Sequence, residues 1–95
     1  MIKLTLKHQN KNLLDACALG VSEALKGELT EERVLGPEYP SINRINNLYQ
    51  KNILFKIEKQ ASSKMVKEII VKWLNIYKKD ASYKTVRFII DVDPQ

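Results

Sequence analysis

The chain has 95 residues and a mass of 11.0 kDa, room for one modest hydrophobic core and too little for most complete enzymes. Hydrophobic residues are 44% and charged residues 28% of it, which excludes a disordered chain, and no apolar run nears the roughly 20 residues of a membrane span. The net charge of +5 is unevenly spread: residues 1–38 carry five basic and six acidic side chains, residues 39–87 eleven and three, and residues 88–95 two aspartates. A basic block of this kind suits a polyanion partner, or is a solvated surface. Cys17 is the lone cysteine, so no internal disulfide and no cysteine zinc cluster are expected, and a cytoplasmic location fits best.

Ile2, Leu4 and Leu6 alternate with Lys3, Thr5 and Lys7, the period of a half-buried strand and not of a secretory leader. Asn12 can cap a helix whose apolar stripe is Leu14, Cys17, Val21 and Ala24, joined by Leu13, Ala18 and Leu25. Lys26-Gly27 supplies a closing signal, a cation in the last turn followed by a residue free to turn left-handed. Arg33-Val34-Leu35 reads as a short strand broken by the shaped loop Gly36-Pro37-Glu38-Tyr39-Pro40. Residues 41–51 are polar, and Asn43, Asn46 and Asn47 favour turns there.

Alternation resumes from Asn52 to Lys59, with Ile53, Phe55 and Ile57 on one face and Leu54, Lys56 and Glu58 on the other. Ser62 or Ser63 can cap a second helix with the stripe Val66, Ile69, Ile70, Trp73, Leu74 and Tyr77, backed by Lys64, Lys67, Lys72, Lys78 and Lys79. Asp80-Ala81-Ser82 ends it. A last strand turns Val86, Phe88, Ile90 and Val92 inward and Thr85, Arg87, Ile89 and Asp91 outward. The order β-α-β-β-α-β predicts an α+β sandwich over residues 1–95, a ferredoxin-like split arrangement with an antiparallel sheet and both helices on one face.

The uncovered face then shows Lys3, Thr5, Lys7, Lys56, Glu58, Thr85 and Arg87, and the spacing predicts that these cations cluster. Each lysine or arginine can pair a phosphate and release counterions. No outward strand position carries a ring, so base stacking on the sheet is not expected. The stretch 39–51 adds Tyr39, Arg44, Tyr49 and Lys51, either an arm that reaches nucleic acid or a packed connector. His8 has no neighbouring cysteine, serine or second histidine, and Cys17 reads as a small buried hydrophobe. Asp91 and Asp93 share a strand face about 7 Å apart but lack a third ligand. A phosphate-cradling glycine loop is also missing, so no catalytic set and no cofactor are expected in this chain.

Three stretches together carry a family resemblance: Lys3-Leu4-Thr5-Leu6-Lys7-His8, Arg33-Val34-Leu35-Gly36-Pro37-Glu38-Tyr39-Pro40, and Val86-Arg87-Phe88-Ile89-Ile90-Asp91-Val92-Asp93-Pro94-Gln95. They resemble the extreme C-terminal domain of PriA-type primosomal helicases (primosomal protein N-prime), in a Bacteroidetes-like version, over essentially the whole chain. The resemblance implies a fragment of an ATP-dependent 3′-to-5′ DNA helicase for replication restart, whose ATP, Mg and zinc sites would lie upstream. It implies a monomeric DNA-binding domain, with forks, D-loops and single strands as ligands and single-stranded-DNA-binding protein and primosome proteins as partners. The fold it implies is also that of a small-subunit ribosomal protein, which keeps an RNA-binding role open.

The residues taken as DNA contacts are Lys3, Lys7, Arg44, Tyr49, Lys51, Lys56 and Arg87, with Lys64 as the nearest match to the family's protein-contact position. In the arm before the third strand, this chain has Asn46, Leu48 and Gln50 where the family carries basic residues. More of the contact is therefore expected on the open face and the second helix. A protein-docking module remains the alternative.

Overall fold

Ile2, Leu4 and Leu6 are fully buried on one side of the first strand, β1 (Ile2–His8), as their alternation requires. The structure is a computed structural model describing residues 2–29, 31–39, 44–45, 47–57 and 63–92. After β1 come α1 (Lys11–Leu29), a 3-10 turn (Glu31–Arg33), β2 (Val34–Glu38), β3 (Arg44–Ile45), β4 (Leu48–Phe55), α2 (Ser63–Lys79) and β5 (Arg87–Val92). The sheet runs β2-β4-β1-β5 with every neighbouring pair antiparallel, and β3 adds to β4 outside that path. This is the expected α+β split sandwich. Ile2, Leu4, Leu6, Ile53 and Phe55 of the sheet share one hydrophobic cluster with Leu14, Cys17, Val21 and Leu25 of α1 and Val66, Ile70 and Leu74 of α2.

Several boundaries differ from the sequence expectation, each for a local reason. Asn10, not Asn12, caps α1: its Oδ1 accepts the Leu13 N–H at 3.2 Å and its carbonyl accepts the Leu14 N–H at 3.0 Å. The helix passes through Gly27 to Leu29, whose side chain is buried and holds the last turn against the core. Strand β2 continues through Gly36 and Pro37, because Gly36 adopts φ 103° and the register with β4 shifts between Leu35 and Glu38.

The region read as turns is a hairpin. Arg44 and Ile45 pair with Tyr49 and Leu48, and Asn47 takes φ 64° at the tip, a conformation asparagine tolerates better than most residues. Strand β4 therefore begins four residues earlier than Asn52 and ends at Phe55, leaving Ile57 outside it but packed on the core. Of the two α2 caps expected, Ser62 lies outside the described residues, as does Glu58, and Ser63 is the first residue of the helix. Beyond α2, the Asp80 carboxylate accepts the Ser82 N–H at 2.9 Å, and β5 begins at Arg87 with Val86 buried just before it.

Candidate nucleic-acid interface

Directly opposed residues in an antiparallel pair share a face, so the register fixes the open face of the sheet row by row. Leu54, Lys3 and Asp91 form one row, Asn52, Thr5 and Ile89 the next, and Gln50, Lys7 and Arg87 the third. Lys3 thus stands beside a carboxylate-bearing residue that offsets its charge. In the middle row the Thr5 hydroxyl donates to Asn52 Oδ1 at 3.0 Å, and Thr5 is only 6% exposed. Across β4, β1 and β5 this row is uncharged, and at its β2 edge Glu38 stands opposite Asn52 and adds a carboxylate.

The expected cation cluster is accordingly divided. Lys7 and Arg87 face each other across β1 and β5, and among the described residues neither has an acidic partner. Lys56 is exposed just past the end of β4, tied by its backbone N–H to the Arg33 carbonyl at 2.8 Å. Six positions separate it from Gln50, about 20 Å at roughly 3.3 Å per residue, so Lys56 and the Lys7–Arg87 pair lie at opposite ends of the face. Among the described residues no aromatic side chain occupies the open-face rows.

Tyr49 and Lys51 are on the other side. Tyr49 is opposite His8 and Lys51 opposite Leu6, a parity shared with the core residues Ile53 and Phe55. The Tyr49 ring packs partly buried against the core. Lys51 is 13% exposed at its side chain, and its Nζ lies 3.2 Å from Asp15 Oδ1 on α1. Tyr39 donates its hydroxyl to the same oxygen at 2.5 Å, and Lys11 Nζ reaches Asp15 Oδ2 at 3.1 Å. Both ammonium groups lie over the Tyr39 ring, 5.1 Å for Lys11 and 4.6 Å for Lys51 from its centroid.

Partial burial pulls the Asp15 carboxyl upward, and the hydrogen bonds from Tyr39, Lys11 and Lys51 together outweigh it, holding the group below its ordinary value. This cluster ties the end of β2, the start of α1 and β4 into one corner. Lys51 is partly enclosed, and its ammonium shares the Asp15 carboxylate with Lys11.

Arg44 is in register with Tyr49, but its side chain lies outside the described residues. Lys64 is exposed in the first turn of α2 and, with Lys67, Glu68 and Val71, borders a shallow cavity of about 350 Å³. Met65 beside it is 53% exposed and Val71 is 36% exposed. The residues that sequence reasoning missed as a group are His8, Gln9, Leu48 and Thr85, which surround the Lys7–Arg87 end of the sheet. His8 and Thr85 are 77 positions apart, and only the pairing of β1 with β5 brings them together. Among the described residues no group of three or more His, Cys, Asp or Glu is placed to hold a metal, and no helix is long and apolar enough to cross a membrane.

The chain is thus a small basic domain, an antiparallel split α+β sandwich with cations at both ends of one sheet face that have no acidic partner among the described residues. The family model for the primosomal protein N C-terminal domain matches residues 1–95, and the chain belongs to that family. It is a primosomal replication-restart domain, as the three resembling stretches imply. No curated protein matches the chain.

Proposed function

We propose that this domain binds DNA for a replication-restart helicase by holding strand phosphates on the open face of its sheet. The observation that carries this reading is the Lys7–Arg87 pair, two cations directly opposed on neighbouring strands with no acidic partner among the described residues. Like charges in that position are mutually destabilising until an anion sits between or above them. Lys3 and Lys56 extend the positive surface toward the far end, whereas Arg44 at the β3–β4 hairpin is near the Lys7 end but in register with Tyr49 and not with the open-face rows. Tyr49 and Lys51 act from the helix side, shaping the strand that presents Gln50 and Asn52, with Lys51 held by Asp15.

With no ring on the face among the described residues, binding is to the backbone and to branched geometry, not to base sequence. ATP, Mg and zinc belong to the upstream helicase lobes in this reading. The domain itself is non-catalytic and monomeric, and serves DNA forks, D-loops and single strands in the cytoplasm. The test is fluorescence anisotropy of the chain with a labelled fork, matched duplex, matched single strand and a structured RNA, at several salt concentrations. Fork binding that falls steeply with salt supports the proposal. Tighter binding to the RNA favours a ribosomal-type role, and absence of binding at low salt removes the DNA reading.

A second reading draws on α2, where Lys64, Lys67 and Glu68 border the exposed apolar surface of Val71. An apolar floor with a rim of two cations and one carboxylate suits a partner segment that carries apolar and charged residues together, the docking role expected toward single-stranded-DNA-binding protein. Its check is the same chain with Val71→Glu and Lys67→Glu, titrated with that protein. Both should lose protein binding and keep fork affinity.

A further inference from the structure

Lys7, His8, Gln9, Leu48, Thr85 and Arg87 enclose a cavity of about 240 Å³ at one end of the open face. That is several times the roughly 30 Å³ share of one water, room for a phosphoryl group with a sugar attached. The hydrogen bonds around it assign its donors. The Asn10 backbone N–H can only donate, and it points at His8 Nδ1 at 2.9 Å, so in the neutral ring the proton is on Nε2. Nε2 lies 2.8 Å from Thr85 Oγ1 and donates to it. The Thr85 hydroxyl, its oxygen already serving as acceptor, keeps its own hydrogen for an acceptor in the cavity. Lys7 and Arg87 add two cationic donors, opposed in register on β1 and β5. Leu48 contributes an apolar wall.

From this geometry we infer that the cavity is a subsite for one sugar-phosphate unit of a nucleic-acid strand: Arg87, Lys7 and the Thr85 hydroxyl hold the phosphate oxygens, and Leu48 packs on the sugar carbons. The inference rests on the DNA reading above and goes further, naming the donors and the chemical unit they take. A guanidinium and an ammonium flanking a hydroxyl match the several oxygens of a phosphate. The His8–Thr85 bond orients the hydroxyl before any ligand arrives, which lowers the cost of ordering it on binding. His8 is a positioning residue in this arrangement, because Thr85 stands between it and the phosphate.

The experiment is ¹H–¹⁵N correlation spectroscopy of the 95-residue chain titrated separately with inorganic phosphate, a thymidine dinucleotide with one internal phosphodiester, and the same dinucleotide bearing a 5′ phosphate. The dinucleotide should shift the amides of His8, Gln9, Leu48, Thr85 and Arg87 and bind more tightly than inorganic phosphate. Arg87→Gln should weaken it by about fivefold or more, Thr85→Val by about two- to fivefold, and Thr85→Ser should restore wild-type affinity. The 5′-phosphorylated dinucleotide separates the two phosphate sources: equal affinity supports a strand phosphodiester, whereas a strong gain overturns it in favour of a terminal phosphate. Inorganic phosphate binding as well as the dinucleotide overturns the sugar contact.

Dinucleotide shifts elsewhere on the surface, or variants that bind as the wild type does, overturn the subsite. A parallel anisotropy titration with fork DNA keeps the two readings apart. Fork binding insensitive to Arg87→Gln and Thr85→Val removes the subsite and leaves the DNA-binding domain standing. Spectral dispersion of each variant shows directly whether it folds, and Thr85 and Arg87 are both exposed, so neither substitution touches the core.

Discussion

Asp15 on α1 takes both the Lys51 ammonium of β4, at 3.2 Å, and the Tyr39 hydroxyl from beyond β2, at 2.5 Å, on the same carboxylate oxygen. One side chain therefore fastens three segments that are distant in sequence. Asp15→Asn leaves the partly enclosed Lys51 without its counter-charge and weakens both bonds, at a cost of about 1–2 kcal/mol. Urea unfolding at neutral pH should show the lower midpoint with an unchanged slope. The folded Asp15 carboxyl titrates below its ordinary value of 3.8, the value taken for the unfolded chain, so its stabilisation is complete above about pH 4 and fades as pH falls through the lower folded pKa. The mutant should consequently lose less stability than the wild type between pH 5 and pH 2.

Gly36 stands where β2 bends, with φ 103° and space for a side chain closed by the Asn52 carbonyl oxygen at 2.9 Å and the Glu38 nitrogen at 3.1 Å from an added Cβ. Both neighbours are backbone or fixed by it, and neither can yield without breaking the pairing of β2 with β4. Gly36→Ala should destabilise the fold by about 2–3 kcal/mol, combining left-handed strain with the close approach. Gly27→Ala is the control, since an added Cβ there meets nothing within 4 Å and the helix interior favours alanine by ~1 kcal/mol. Thermal unfolding of the two variants should move in opposite directions.

These positions show what the sequence could and could not disclose. The alternation of β1 is strong because every second residue is fully apolar, and the buried set Ile2, Leu4 and Leu6 follows from it directly. Gly36-Pro37 reads as an ending because both residues break regular strands, yet a bulge lets the pairing resume at Glu38. Asn12 reads as the α1 cap by residue type, and the Leu13 N–H bond places the cap at Asn10 instead.

The same limit governs the interface. Once β4 is extended back to Leu48, two-residue parity with Ile53 and Phe55 puts Tyr49 and Lys51 on the helix side, so their placement was legible in principle and hidden by the late strand start. The division of the cations was not. It depends on which residue of β5 faces Lys7 and which faces Lys3, and register across 77 or more positions leaves no local signal.

Cys17 is fully buried between α1 and its neighbours, and burial, with a smaller contribution from Asp80, pushes its thiol up to about 12. Only the thiolate reacts with disulfide reagents, so native Cys17 should be inert at pH 8 on the timescale on which a free thiol is consumed. Reaction should appear only with unfolding and follow the denaturant curve. Rapid labelling of the native chain contradicts the closed packing of α1 against the sheet.

Asp91 is the carboxylate that stands across from Lys3 on the open face, and it should depress polyanion binding there. At about 5 Å in a water-like dielectric, one such charge pair is worth roughly 0.8 kcal/mol, so Asp91→Asn should raise fork affinity about two- to fourfold at low salt. The gain should disappear as the Debye length shrinks toward ~3 Å near 1 M salt. Lys3→Gln should lower affinity by a similar factor and abolish the benefit of Asp91→Asn, because the two act through one phosphate position. Lys51→Gln should instead cost stability and leave the salt slope unchanged, since that ammonium is held by Asp15 on the opposite side of the sheet. A wild-type affinity in both Lys3→Gln and Asp91→Asn confines the DNA footprint to the Lys7–Arg87 end, whereas a reduced salt slope in Lys51→Gln shifts it to the helix side.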